Sequence, residues 1–241
     1  MLAFLGLAGV IAALAGAMLL IWRGYRAATG SEADPVAPAR LLMSGAIVAF
    51  VAMELALLTD DFSVAYVANH HSTTTPFPFD VATAWAALEG SILVWGLVLA
   101  VFTWMVARRY RARPDSLGAA ALAVLGGVAL FFFGLMLTVA NPFEVCVEAA
   151  ANGCLASSPW PFASVDAPVN GPGPNPLLQN HLLMAIHPPI LYIGYVGLTV
   201  PYAYGIAALS SLLISENAMP FARRCFSNQF LFFCMASSLR L

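Results

Sequence analysis

The chain has 241 residues, of which 61% are hydrophobic and 9% charged, with a mean hydropathy of +0.84. An ordinary soluble domain is roughly 45–50% apolar and about 25% charged, so this shortage of charge excludes a soluble globular enzyme and a disordered chain. The net charge is −2 and the ten basic residues are all arginine, which leaves no basic footprint for nucleic acid.

The composition predicts an all-α, polytopic transmembrane helical bundle. A spanning helix needs about 20 apolar residues. Taken in chain order, spans are expected over about Leu2–Trp22, Leu41–Leu58, Trp85–Ala107, Leu117–Ala140 and Pro188–Leu213. A partial sixth begins near Phe226, giving five to six spans. In the first span the basic residues Arg23 and Arg26 follow the apolar run, which is the wrong polarity for a cleaved signal. The chain divides into 1–84, two spans with a first outer loop; 85–215, the central segment; and 216–241, an inner loop with the partial helix.

Arginine placement sets the orientation. Arg23, Arg26 and Arg40 lie between the first two spans, Arg108, Arg109, Arg111 and Arg113 between the third and fourth, and Arg223 and Arg224 after the fifth. The connections at about 59–84 and 141–187 hold no basic residue. Cytoplasmic loops carry the excess of arginine. The N-terminus and these two loops are therefore expected outside, in the periplasm if the cell is Gram-negative. All four histidines, His70, His71, His181 and His187, fall on that side.

His187 precedes Pro188 and Pro189. Proline suits the first turn of a helix, where its missing N–H breaks no bond. His187 is therefore expected on the rim of the fifth span, either as an axial ligand of haem iron or as an interfacial histidine that caps the helix. Tyr192 and Tyr195 lie three apart one to two turns further on, as a stacking face for a porphyrin or as part of an aromatic belt. Glu89 opens the third span between Trp85 and Trp95, as a contact for a partner or cofactor or as an acid matched to the helix dipole. Glu54 lies about one turn inside the second span, shallow enough to snorkel. His70 and His71 are adjacent, point apart in regular structure and read as a solvated loop pair. Cys146 and Cys154 could close a short loop in an oxidising compartment. The Pro- and Gly-rich stretch 167–176 has no helix of its own. A transporter would need paired intramembrane charges and a midplane site, and only Glu54 is offered.

Two stretches carry a family resemblance. Trp85-Ala86-Ala87-Leu88-Glu89-Gly90-Ser91-Ile92-Leu93-Val94-Trp95 is the first. The second is Asn175-Pro176-Leu177-Leu178-Gln179-Asn180 followed by His187-Pro188-Pro189-Ile190-Leu191-Tyr192-Ile193-Gly194-Tyr195-Val196-Gly197. Together they resemble the CcmF and CcsA-like cytochrome c assembly family, the haem-lyase subunits of cytochrome c maturation. The resemblance implies an inner-membrane protein that holds haem b at its outer face while an apocytochrome presents a C-x-x-C-H motif. It implies a haem chaperone, other maturation subunits and membrane lipid as partners, and His187 as an axial ligand. Trp85, Glu89, Tyr192 and Tyr195 are expected to join it in cofactor binding. Leu88 stands where many members have a histidine, and the tryptophans at 22, 85, 95, 104 and 160 form no cluster. The family's tryptophan-rich segment and second outer ligand are therefore expected beyond Leu241. On that reading the chain is an N-terminal piece of a haem lyase, and alone it holds haem poorly or serves as a docking scaffold.

Overall fold

The structure, a computed structural model, describes residues 1–179 and 182–210. It is mostly helical. The elements are α1 (Leu2–Ala28), α2 (Val36–Leu58), α3 (Ala65–His70), α4 (Phe77–Thr83), α5 (Leu88–Ala112), α6 (Ser116–Leu135), β1 (Val145–Ala149), β2 (Cys154–Ser158), a 3-10 turn (Pro176–Gln179), α7 (Leu182–Gly197) and α8 (Thr199–Ser210). Among the described residues, five segments are long and apolar enough to cross a membrane: α1, α2, α5, α6 and Ala185–Leu209. The expected partial span near Phe226, like His181, Cys225 and Cys234, lies outside the described residues.

Most spans run past their apolar runs. α1 continues through Arg23 and Arg26 to Ala28, and α5 through Arg108–Arg111 to Ala112. Hydropathy marks only the part of a helix that lipid would cover; arginine is itself a good helix former. The fourth span stops at Leu135, short of the expected Ala140, because 136–139 tighten into turns such as Leu137 N to Gly134 O. The fifth is two helices. Pro201 brings no N–H to Gly197 O, and the chain turns at Leu198, whose amide reaches Tyr195 O at 3.2 Å.

The contacts divide the chain into two interleaved units. The first comprises Met1–Ile11, Ala46–Val94 and Gly134–Pro189; the second comprises Ala12–Gly45, Trp95–Phe133 and Ile190–Leu241. The second is packed by small residues. A Cβ on Gly16 would stand 2.5 Å from the Leu42 amide nitrogen, and one on Gly24 would stand 2.9 Å from Ala119 O. Such close backbone approach is how apolar helices associate without a hydrophobic driving force. Arg109 ties this unit's loop by a 2.9 Å bridge to Asp115 and a 3.3 Å bond to Tyr204 Oη.

The first unit carries the two arginine-free loops. α3 and α4 fill much of the 59–87 connection, which the sequence left without helices. In the 136–181 connection β1 and β2 pair antiparallel, with Val145 opposite Ser158 and Ala149 opposite Cys154. The Cys146–Cys154 disulfide closes this hairpin. Its outer edge joins the other loop, where Ala65 N donates to Glu144 O at 2.8 Å and Cys146 N to Ser63 O at 2.9 Å.

Candidate functional site

His187 does not sit on a helix rim. α7 begins at Leu182, so His187, Pro188 and Pro189 lie inside it, beyond its first turn. This corrects the expected first-turn placement, and it has a cost. Neither proline can donate to the carbonyl four residues back, so Met184 O and Ala185 O lose their helical partners. Ala185 is buried, and an unpaired buried carbonyl costs about 1–3 kcal/mol. The indole Nε1 of Trp85 fills the gap, donating to Ala185 O at 2.8 Å. The half-buried ring of His187 turns Nδ1 inward, where that atom is buried with no hydrogen-bond partner.

Trp85 is itself held by a compact turn ahead of α5. Trp85 N donates to Ala82 O at 3.1 Å, and Ser91 Oγ donates to Trp85 O at 3.1 Å. The buried Tyr66 spans the turn from α3: its hydroxyl donates to Thr83 O at 2.8 Å and accepts from Ala87 N at 3.3 Å. Gly90 must be glycine, because a Cβ there would stand 2.2 Å from Ala84 O and 2.4 Å from Tyr66 Oη. The Glu-Gly-Ser pattern is thus explained in two of its three positions by the seat it makes for Trp85.

Glu89, the third, is half-buried in the first turn of α5. It lines a cavity of about 110 Å³ with Tyr66, Asn69, His70, Asn141 and Glu144. Ser157 Oγ donates to Glu144 there. His70 Nδ1 lies 3.0 Å from Tyr66 O, a geometry in which the Nδ1–H donates to that carbonyl.

His71 is the clearest departure from expectation. It is 2% exposed, not solvated, with Nε2 2.6 Å from Asp60 Oδ1 and Nδ1 3.0 Å from Asp80 Oδ1, and it stacks on Phe62. α2 ends with Asp60 in the left-handed conformation (φ 54°) and Asp61 N bonded to Ala56 O, which swings Asp60 toward the ring. The carboxyl of Asp80 is raised above the usual carboxylate range, first by burial and then by the charge of Asp60, with His71 opposing. Tyr66 is a structural residue that the sequence did not single out, and His71 is one that it read as solvated. Among the described residues, no three His, Cys, Asp or Glu groups converge to hold a metal.

Tyr192 and Tyr195 belong to the second unit. Tyr192 packs edge-on against Trp95 at 5.5 Å, and Trp95 tilts against Phe132 at 5.7 Å. Tyr195 is exposed. Glu54 is half-buried near the end of α2.

A family described as cytochrome C assembly protein matches residues 85–239, opening on Trp85. The chain belongs to this family. The resemblance seen in the Trp85–Trp95 and His-Pro-Pro stretches is borne out. Cytochrome c-type biogenesis protein CcmF of Pseudomonas fluorescens is 37% identical over 161 residues, covering 67% of this chain and 22% of that protein. The Escherichia coli K12 protein of the same name is 34% identical over 183 residues, covering 76% of this chain and 26% of its own. The solved structure of cytochrome c haem lyase CcmF superposes with a TM-score of 0.75 at 34% identity, over 96% of this chain and 34% of that one. The chain therefore spans about a quarter of the length of these curated relatives. As a family member with five helices among its described residues long and apolar enough to cross a membrane, it is a multi-pass membrane protein.

Proposed function

We propose that this cytochrome c assembly protein holds haem at the outer face of the inner membrane, with His187 as one axial ligand, for covalent attachment to an apocytochrome. The observation that carries the proposal is the His187 ring itself. Its Nδ1 is buried without a partner in a helical turn stripped of two amide donors. A buried unpaired polar atom is rare and asks for a reason. With Nδ1 turned inward, Nε2 is the nitrogen left for iron, so the residues present fit a haem. Haem b would supply the vinyl groups that receive the thiols of a C-x-x-C-H motif.

The chain's own residues do the positioning. Pro188 and Pro189 stiffen the turn beneath the imidazole. Trp85 and Glu89 come from the neighbouring turn, and Glu89 keeps an acid at the loop surface for a partner. The partners in this reading are a haem chaperone, other maturation subunits, the apocytochrome and lipid. The arginines support the sidedness: every described arginine falls in the segments 23–40 and 108–113, and none in 59–87 or 136–179. The Cys146–Cys154 bond, formed in the first unit, agrees with an oxidising compartment.

The test is haem staining of c-type cytochromes in cells that depend on the full-length protein. His187→Ala is expected to abolish attachment, and His187→Gly to regain part of it when imidazole is supplied. Wild-type attachment in both variants, without imidazole, would overturn the reading.

A further inference from the structure

We propose that Trp85 is a positioning residue: its indole N–H stands in for the amide that Pro189 lacks, and so fixes the helical turn that carries His187. The proposal deepens the reading of His187 as a haem ligand and rests on it for its functional half. Its structural half stands alone.

Three observations carry it. The acceptor is the particular carbonyl that Pro189 orphans, since a residue at 189 with an N–H would bond to 185. The donor meets it at 2.8 Å, a normal amide distance, across 100 residues of sequence. The donor is also seated from behind: Ser91 Oγ takes Trp85 O, and Tyr66 Oη clamps Thr83 O and Ala87 N on either side of it. A tryptophan held only for ring packing would need none of this. With its N–H committed to Ala185, Trp85 acts on the ligand through the helix. The chain of bonds runs Tyr66, the 83–87 turn, Trp85, Ala185, and from there two residues along α7 to His187. It lies wholly within the first unit.

The experiment uses the full-length protein in detergent or nanodiscs, with hydrogen exchange of a peptide covering 183–197 and haem attachment in cells as paired readouts. Trp85→Phe keeps the ring and removes the donor. It is expected to raise exchange in that peptide roughly tenfold, the factor that follows from an unmet buried carbonyl, and to lower haem attachment by a similar factor. The double variant Trp85→Phe/Pro189→Ala returns an amide to position 189, and both readouts are expected to recover. The proposal is overturned if Trp85→Phe exchanges like wild type, or if the double variant exchanges like the single. A His187→Ala variant that still attaches haem would sink the ligand assignment instead, while the exchange data continue to decide the role of Trp85.

Discussion

Asp80 Oδ1 stands 3.0 Å from His71 Nδ1 in a pocket that leaves the ring 2% exposed. The opposite ring nitrogen faces Asp60, so one imidazole mediates between two carboxylates with no arginine in its unit. Burial and Asp60 raise the Asp80 carboxyl above its ordinary value. An acid whose folded value is raised favours the fold in its protonated form. That contribution is complete below the ordinary carboxylate value and is lost as pH rises through the raised one. Melting in detergent between pH 4 and 7 should show Asp80→Asn gaining on wild type as pH increases. A constant difference across that range would contradict the assignment.

Removing the imidazole is a harsher change. His71→Ala leaves Asp60 and Asp80 facing each other across a hole. One half-exposed and one part-buried acid then lose their partner, and a cost of about 1–3 kcal/mol is expected. The loop backbone should loosen too, because His71 O accepts from Gly173 N at 3.2 Å. Thermal melts, with proteolysis at the 170–175 segment, would check this; a wild-type pattern in both would refute it.

Gly90→Ala tests the Trp85 seat from its other side. The added methyl has 2.2 Å to a carbonyl and 2.4 Å to a fixed hydroxyl, where roughly 3.5 Å is ordinary contact. Destabilisation of about 3 kcal/mol is expected, the upper end of overpacking costs. Tyr66→Phe with Gly90→Ala should recover part of it by removing the hydroxyl.

The hairpin bond gives a fourth test. Closing the loop between Cys146 and Cys154, eight residues apart, is worth about 2.5 kcal/mol by chain entropy. Cys154→Ser and reductant should lower the melting temperature equally, and reductant should do nothing further to the variant. A reductant effect that persists in Cys154→Ser would show that the stabilisation lies elsewhere.

How far the sequence spoke depended on the range of each interaction. The five apolar runs showed the spans directly, because lipid solvation acts on each segment separately. The His-Pro-Pro and Glu-Gly-Ser stretches were visible as local patterns, and the family match begins at the tryptophan they flagged. What stayed hidden was long-range pairing. Nothing in two adjacent histidines announces that Asp60 and Asp80 will enclose the second of them. The prolines of α7 looked like a helix entry, because their use inside a helix depends on an indole 100 residues earlier. The hairpin was hidden as well, since its five-residue strands carry little alternating pattern of their own.

The hairpin's closure has one more chemical consequence. Cys146 and Cys154 are bonded to each other, so the described residues present no free cysteine thiol. A thiol-alkylating reagent would find nothing to label there until that bond is reduced.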